Sequence, residues 1–174
     1  PSVDSNLLHD IFSQGRDAAS RRAALRILIK RQDRDVEDAI GLGLKSEEAD
    51  LRTIAIESAL SSGVEKFQRA VLDRVVEMGS EDMLTVLGGL NNVEDEVAES
   101  IAQKVIEIGD ESLRLNALDL IGDVGSKRSI DLLLNTFENG DRASQIKAAS
   151  AIAQIDTPEL DKQLAGILKS THSK

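Results

Sequence analysis

The sequence predicts an all-α fold, an α-solenoid in which antiparallel helical hairpins stack side by side, and three observations carry that reading. Apolar residues recur at a spacing near 3.6 in every segment, and no stretch alternates in the manner of a strand. Landmarks then repeat with a period near 31: Gly79, Gly109 and Gly140 lie 30 and 31 residues apart, and Leu51-Arg52, Met83-Leu84, Leu113-Arg114 and Ile146-Lys147 keep a similar beat. Finally, the apolar content is aliphatic, since aromatics make up 2% of the 174 residues and neither Trp nor Tyr occurs. A short amphipathic hairpin cannot bury its own apolar stripe, so each must stack on neighbours like itself. The expected organisation is one domain over residues 1–174: a capping helix in 1–15, about five repeats in 16–170, and a tail in 171–174.

The elements follow in order. Ser5 to Gln14 carries Leu7, Leu8, Ile11 and Phe12 on one face, with Ser5 as N-cap and Gly15 as stop. A helix from about Asp17 to Arg31 uses Ala24, Leu25, Leu28 and Ile29, and its partner from Asp35 to Lys45 uses Val36, Ala39, Ile40 and Leu44. The clearest unit runs from Glu48 to Gly79. Its first half carries Leu51, Ala55, Ala59 and Leu60, breaks at Ser61-Ser62-Gly63, and resumes with Phe67, Val71, Leu72, Val75 and Val76. Ser80 opens a helix with Met83, Leu84, Leu87 and Leu90, ended by Asn91-Asn92. Glu94-Asp95-Glu96 then places acids at the positive end of a helix with Val97, Ile101, Ala102, Val105 and Ile106. Asp110 to Val124 and Asp141 to Ile155 repeat the opening half. The segment from Ser126 to Gly140 repeats the second half, and a last helix starts at Thr157-Pro158.

Superposing the second helices on their terminal Gly aligns Leu72, Ala102 and Leu133, and likewise Val76, Ile106 and Phe137, as core positions. The positions between them, such as Arg69, Asp73 and Arg74 or Glu99, Gln103 and Lys104, vary in charge and are expected to face water.

Leu51-Arg52 with Ala55 and Ala59, Leu113-Arg114 with Ala117, and Ile146-Lys147 with Ala149 form a pattern that resembles HEAT-like repeats of the short, phycobilisome-lyase type. Met83-Leu84 departs from it by losing the basic residue. The resemblance covers roughly residues 18–170 and implies a right-handed superhelix whose second helices line a concave surface. It also permits a bilin-lyase-like or chaperone-like role toward a tetrapyrrole. Tetratricopeptide and ankyrin repeats are set aside because their Trp/Tyr/Pro and Thr-Pro-Leu-His signatures do not occur.

Composition narrows the chemistry. A net charge of −10 and the scarcity of rings weigh against nucleic acid. Without Cys there is no disulfide, thiolate nucleophile or Cys-based zinc site. No apolar run reaches the ~18 residues of a membrane span. The opening Pro1 in place of Met is read as a sign of a segment of a longer protein. His9 and His172 stand near opposite ends with no partner at helix-face spacing, and the series Asp33, Asp35, Glu37 lacks the Gly and the bidentate Glu of a calcium loop. The run Gly41 to Ser46 puts Leu44 where a phosphate loop needs Gly. Gly88-Gly89 interrupts a helix at a cost of about 1 kcal/mol each, which suggests close approach of a neighbouring helix ahead of a ligand groove. No catalytic, metal or cofactor-binding residue is assigned, and no cofactor is expected.

Charge is lopsided: residues 1–45 carry a net +1 and the remaining 129 a net −11. The function expected is therefore non-catalytic protein binding, with a structural spacer as a further alternative. The site is placed on the second helices at Arg69, Asp73, Arg74, Glu77, Glu96, Glu99, Gln103, Lys104 and Glu107, an acid-rich band suited to a partner with a basic surface. The competing site is the row Arg22, Arg26 and Lys30, which shares one helix face and suits either an acidic partner or acids on the next repeat.

Overall fold

A computed structural model describes residues 4–31 and 36–155. Among them are ten α-helices: α1 Ser5–Gln14, α2 Ala18–Arg31, α3 Val36–Leu44, α4 Ala49–Leu60, α5 Glu65–Arg74, α6 Ser80–Gly89, α7 Asp95–Ile108, α8 Glu111–Val124, α9 Ile130–Asn139 and α10 Arg142–Gln154. Single 3-10 turns follow α5 and α6 and precede α9, and the described residues contain no strand. The helices expected at Thr157 and the tail, together with Asp33, Asp35 and His172, lie outside the described residues.

Packing sorts the helices into two rows. The first helices meet in sequence, α2 on α4, α4 on α6, α6 on α8 and α8 on α10. The second helices follow, with α3 on α5 and α5 on α7, while α1 covers α2 and α3. Between the rows runs one continuous core, aliphatic apart from Phe12, Phe67 and Met83.

Burial sets the register at 31 residues throughout. Ala24, Ala55, Val86, Ala117 and Ala148 are all buried, as are Leu28, Ala59, Leu90, Ile121 and Ile152. On the second helices Ile40, Val71, Ala102 and Leu133 form the matching buried row. Four sequence expectations shift accordingly. Leu72 is only half-buried, because Val71 is the true equivalent of Ala102. Val76, expected in the core, is 53% exposed, because a 3-10 turn at Val75–Glu77 directs Val75 inward in its place. Leu84 is exposed and Val86 takes its place. Ile146 is 60% exposed, because the equivalent of Leu51 and Leu113 is the buried Ser144. Phe137 does occupy the core register of Leu44, Val75 and Ile106, yet it is 41% exposed on α9, the last second helix described.

Caps explain the sharp connections. The N-cap of α1 is Asp4, not Ser5, and its carboxylate accepts from the Asn6 N–H. Asp110 and Asp141 cap α8 and α10 by accepting from Leu113 and Ser144 N–H, and these bonds head the causes that hold both carboxyls below the ordinary aspartate value. Each follows a Gly directly, so only two residues separate α7 from α8 and α9 from α10. At Gly109 a Cβ would stand 2.6 Å from the Val105 carbonyl oxygen and 2.9 Å from Leu113 Cβ, so the junction closes only without a side chain. Gly63 serves differently: its φ of 66° is left-handed and favours Gly at the turn between α4 and α5.

A basic residue near the start of α2, α4 and α8 ties units together. Arg52 donates to the Ser46 and Glu47 carbonyls at 3.0 and 2.9 Å and to Asp82 at 2.7 Å, joining the end of α3, α4 and α6. Arg21 does the same with the Gly15 carbonyl and Glu48, and Arg114 more loosely with Gly109 and with Asp141 at 3.7 Å. In the 31-residue register Met83 stands where the guanidinium would be, and the tie from α6 is a Ser80 hydroxyl donating to Asp110 at 3.1 Å. Lys147 is out of this register and reaches back to Asp119.

Candidate functional site

The outward stripe of the second helices follows from the register. With positions 40, 71, 102 and 133 facing the core, the residues two before, two after and five after them face out, at i, i+4, i+7 spacing. They read Asp38, Leu42, Lys45 on α3 and beside it, Arg69, Asp73, Val76 on α5 and its turn, Ser100, Lys104, Glu107 on α7, and Asp131, Asn135, Glu138 on α9. All are exposed except the half-buried Ser100 and Lys104. Arg69, Asp73, Lys104 and Glu107 from the expected band therefore share this stripe. Val76, Ser100 and the sets on α3 and α9 join it, and a strict 31-residue superposition of the sequence would have found them.

The remaining band residues are occupied elsewhere. Arg74 lies half-buried and pairs with Glu77 at 2.9 Å, and Glu96 accepts from Arg128 at 2.9 Å; on the stripe itself, Arg69 pairs with Glu65 at 2.7 Å. The Arg69–Glu65 hydrogen bond, with the charges of Glu65, Glu96 and Asp73, pushes the guanidinium pKa further up.

Glu99 is a correction. Expected to face water, it is 2% exposed. Its carboxylate accepts from the Ser126 N–H at 2.8 Å, the Ser126 hydroxyl at 2.9 Å, the Ser129 hydroxyl at 2.5 Å and Arg128 at 3.2 Å. Gln103 completes the cluster by donating to the Ser129 hydroxyl at 3.0 Å. Burial alone would push the carboxyl up. The bonds from Ser129 and Ser126 and the charge of Arg128 outweigh it and hold the group below the ordinary glutamate value. One period earlier Gln68, also buried, donates to the Leu60 carbonyl at 3.2 Å and the Asn92 carbonyl at 3.4 Å, and two periods earlier Glu37 pairs with Lys66. Positions 68 and 99 thus latch onto the turn of the next unit, and position 37 pairs with the first turn of the next unit's second helix. The polar series at 31-residue spacing was the available signal.

On the opposite row, α2, α4 and α6 enclose an open groove of about 660 Å³, lined by Arg22, Arg26, Glu57, Leu60, Ser61, Thr85, Gly88, Gly89 and Asn92. Arg22 pairs with Glu57 at 2.9 Å, so it neutralises an acid of the next repeat as one of the two sequence readings expected. Gly89 admits Leu60, whose Cδ1 would stand 2.6 Å from a Cβ there. Gly88 has no such neighbour.

Among the described residues no group of three or more Asp, Glu or His side chains is placed to hold a metal ion, and no helix is long and apolar enough to cross a membrane. His9 is half-buried on α1. No protein-family model and no curated protein matches the chain.

Proposed function

We propose that the chain is a non-catalytic α-solenoid of HEAT-like type, coiled as a right-handed superhelix, that holds a protein partner along the outward stripe of its second helices. The observation that carries the reading is the contrast within one register. The core rows 24/55/86/117/148, 28/59/90/121/152 and 40/71/102/133 stay aliphatic from unit to unit, while the outward rows vary: Asp, Arg, Ser, Asp at 38/69/100/131, Leu, Asp, Lys, Asn at 42/73/104/135, and Lys, Val, Glu, Glu at 45/76/107/138. Repeated scaffolds with a fixed interior and a varied face are suited to recognising an extended polypeptide. Acids gather toward one end of the stripe, at Glu107, Asp131 and Glu138, so the partner brings Lys or Arg to that end and its encounter rate falls with added salt.

The test is charge reversal on the stripe. Asp73→Lys, Lys104→Glu and Glu107→Lys are combined, and wild type and variant are compared by quantitative capture from an extract of the source cells. A partner held at near one-to-one ratio by wild type and lost by the variant, with helicity and melting temperature unchanged, is the expected result. Identical capture by both proteins would remove the stripe as the binding surface.

A further inference from the structure

We infer that the groove between α2, α4 and α6 is a second docking site, shaped for an extended acidic peptide with carboxylates at alternate positions. The site lies on the first-helix row and does not depend on the outward stripe of the second helices. Register position 26/57/88/119/150 is exposed in all five first helices and reads Arg26, Glu57, Gly88, Asp119, Ser150. Only the third lacks a side chain, and Arg26, Glu57 and Gly88 all line the groove. A methyl group at Gly88 would meet nothing within 4 Å, so no internal packing requires Gly at this position near the end of α6. The missing side chain leaves the α6 backbone uncovered on the floor of the groove.

The basic wall selects the occupant. Arg26, which lines the groove, and Lys30, one helical turn beyond it on α2 and outside the lining, are exposed, and no side-chain hydrogen bond or ion pair is found for either among the described residues. Arg22 spends its Nε and Nη2 on Glu57 and keeps Nη1 for another acceptor. These three cations follow one another at four-residue steps, about 6 Å along the helix. Alternate side chains of an extended peptide lie about 6.6–6.8 Å apart on one face. An Asp-x-Asp-x-Asp segment therefore brings one carboxylate to each cation, whereas three adjacent Asp residues point to opposite faces and reach at most two. In a chain of net charge −10 this is a local positive wall, and Arg offers a carboxylate paired N–H donors.

Fluorescence anisotropy with a labelled peptide, Ser-Asp-Ala-Asp-Ala-Asp-Ser, tests the site at about 20 mM salt, where surface electrostatics are little screened. Binding to the full chain is expected to be at least about 10-fold tighter than for the Asn-substituted peptide and measurably tighter than for an isomer with three contiguous Asp. Arg26→Glu and Gly88→Leu are each expected to weaken it about 10-fold, the first by charge and the second by filling the groove. The triple variant of the outward stripe should bind the peptide as wild type does, so failure of one surface is separable from failure of the other. Absence of binding to wild type, equal binding of the Asn peptide, or unchanged affinity in Arg26→Glu would each overturn the inference.

Discussion

Replacing Glu99 by Gln removes one charge from the most enclosed polar cluster of the molecule while keeping its shape. The carboxylate accepts from four donors on the segment Ser126–Ser129, and Ser129 is fully buried. A carboxamide keeps one acceptor oxygen but turns an NH2 group toward those donors, leaving at least one buried donor unsatisfied. Such a loss costs about 2 kcal/mol, which for a chain of this size lowers the melting temperature by about 4–8 °C. The sign with pH follows from the depressed carboxyl. Its stabilising contribution is complete above the unfolded glutamate value of about 4.3 and disappears as pH falls through the lower folded value. Paired urea or thermal unfolding at pH 7 and in strong acid therefore shows a wide gap between wild type and Glu99→Gln at pH 7 that narrows in acid. Carboxyls shared by both proteins cancel in this difference. A gap that is absent at pH 7, or equally wide in acid, would refute the account of Glu99 as an ionised latch.

Three further outcomes follow from packing. Arg52→Ala strips the nearly buried Asp82 of its cation and two carbonyls of their donor, and urea melts should register about 2–4 kcal/mol; Arg114→Ala, facing an exposed partner at 3.7 Å, should leave the midpoint almost unmoved. Ile106→Ala empties a core position and is expected to cost about 2–4 kcal/mol, while Val76→Ala, at an exposed position, should leave the same melt unchanged. Gly109→Ala collides with the Val105 carbonyl and should destabilise by about 1–3 kcal/mol; Gly88→Ala, in open space, should stabilise by about 0.5–1 kcal/mol in thermal melts.

Much of the helical layout was legible because amphipathic spacing and Gly stops are local signals: α4 begins and ends, and α1 ends, where the residues indicate. Register was harder. Aligning on Gly79, Gly109 and Gly140 mixes one helix that ends in a 3-10 turn with two that do not, and a 3-10 turn advances 120° per residue against 100°. That mismatch is why Val76 was placed inside and Val71 was not matched to Ala102. Ile146-Lys147 mimicked the apolar-basic pair two residues late, and Ser144, held in the core by its bond to Asp141, gave no apolar signal. The candidate band suffered from the same slip. A charged residue on a helix reads as solvated, and only its partners three dozen residues away or fewer, Ser126 and Ser129, show Glu99 to be interior.

The ties between first helices are unequal, and that inequality has a mechanical meaning. Arg21 and Arg52 rivet the early units with charged, multiply bonded clamps, but across α6 and α8 the corresponding tie is one hydroxyl on one carboxylate. In the proposed stack of repeats, compliance concentrates at the softest joint. The proposed stack is therefore expected to bend and open first beside Met83, between a stiffer leading segment and a looser trailing one.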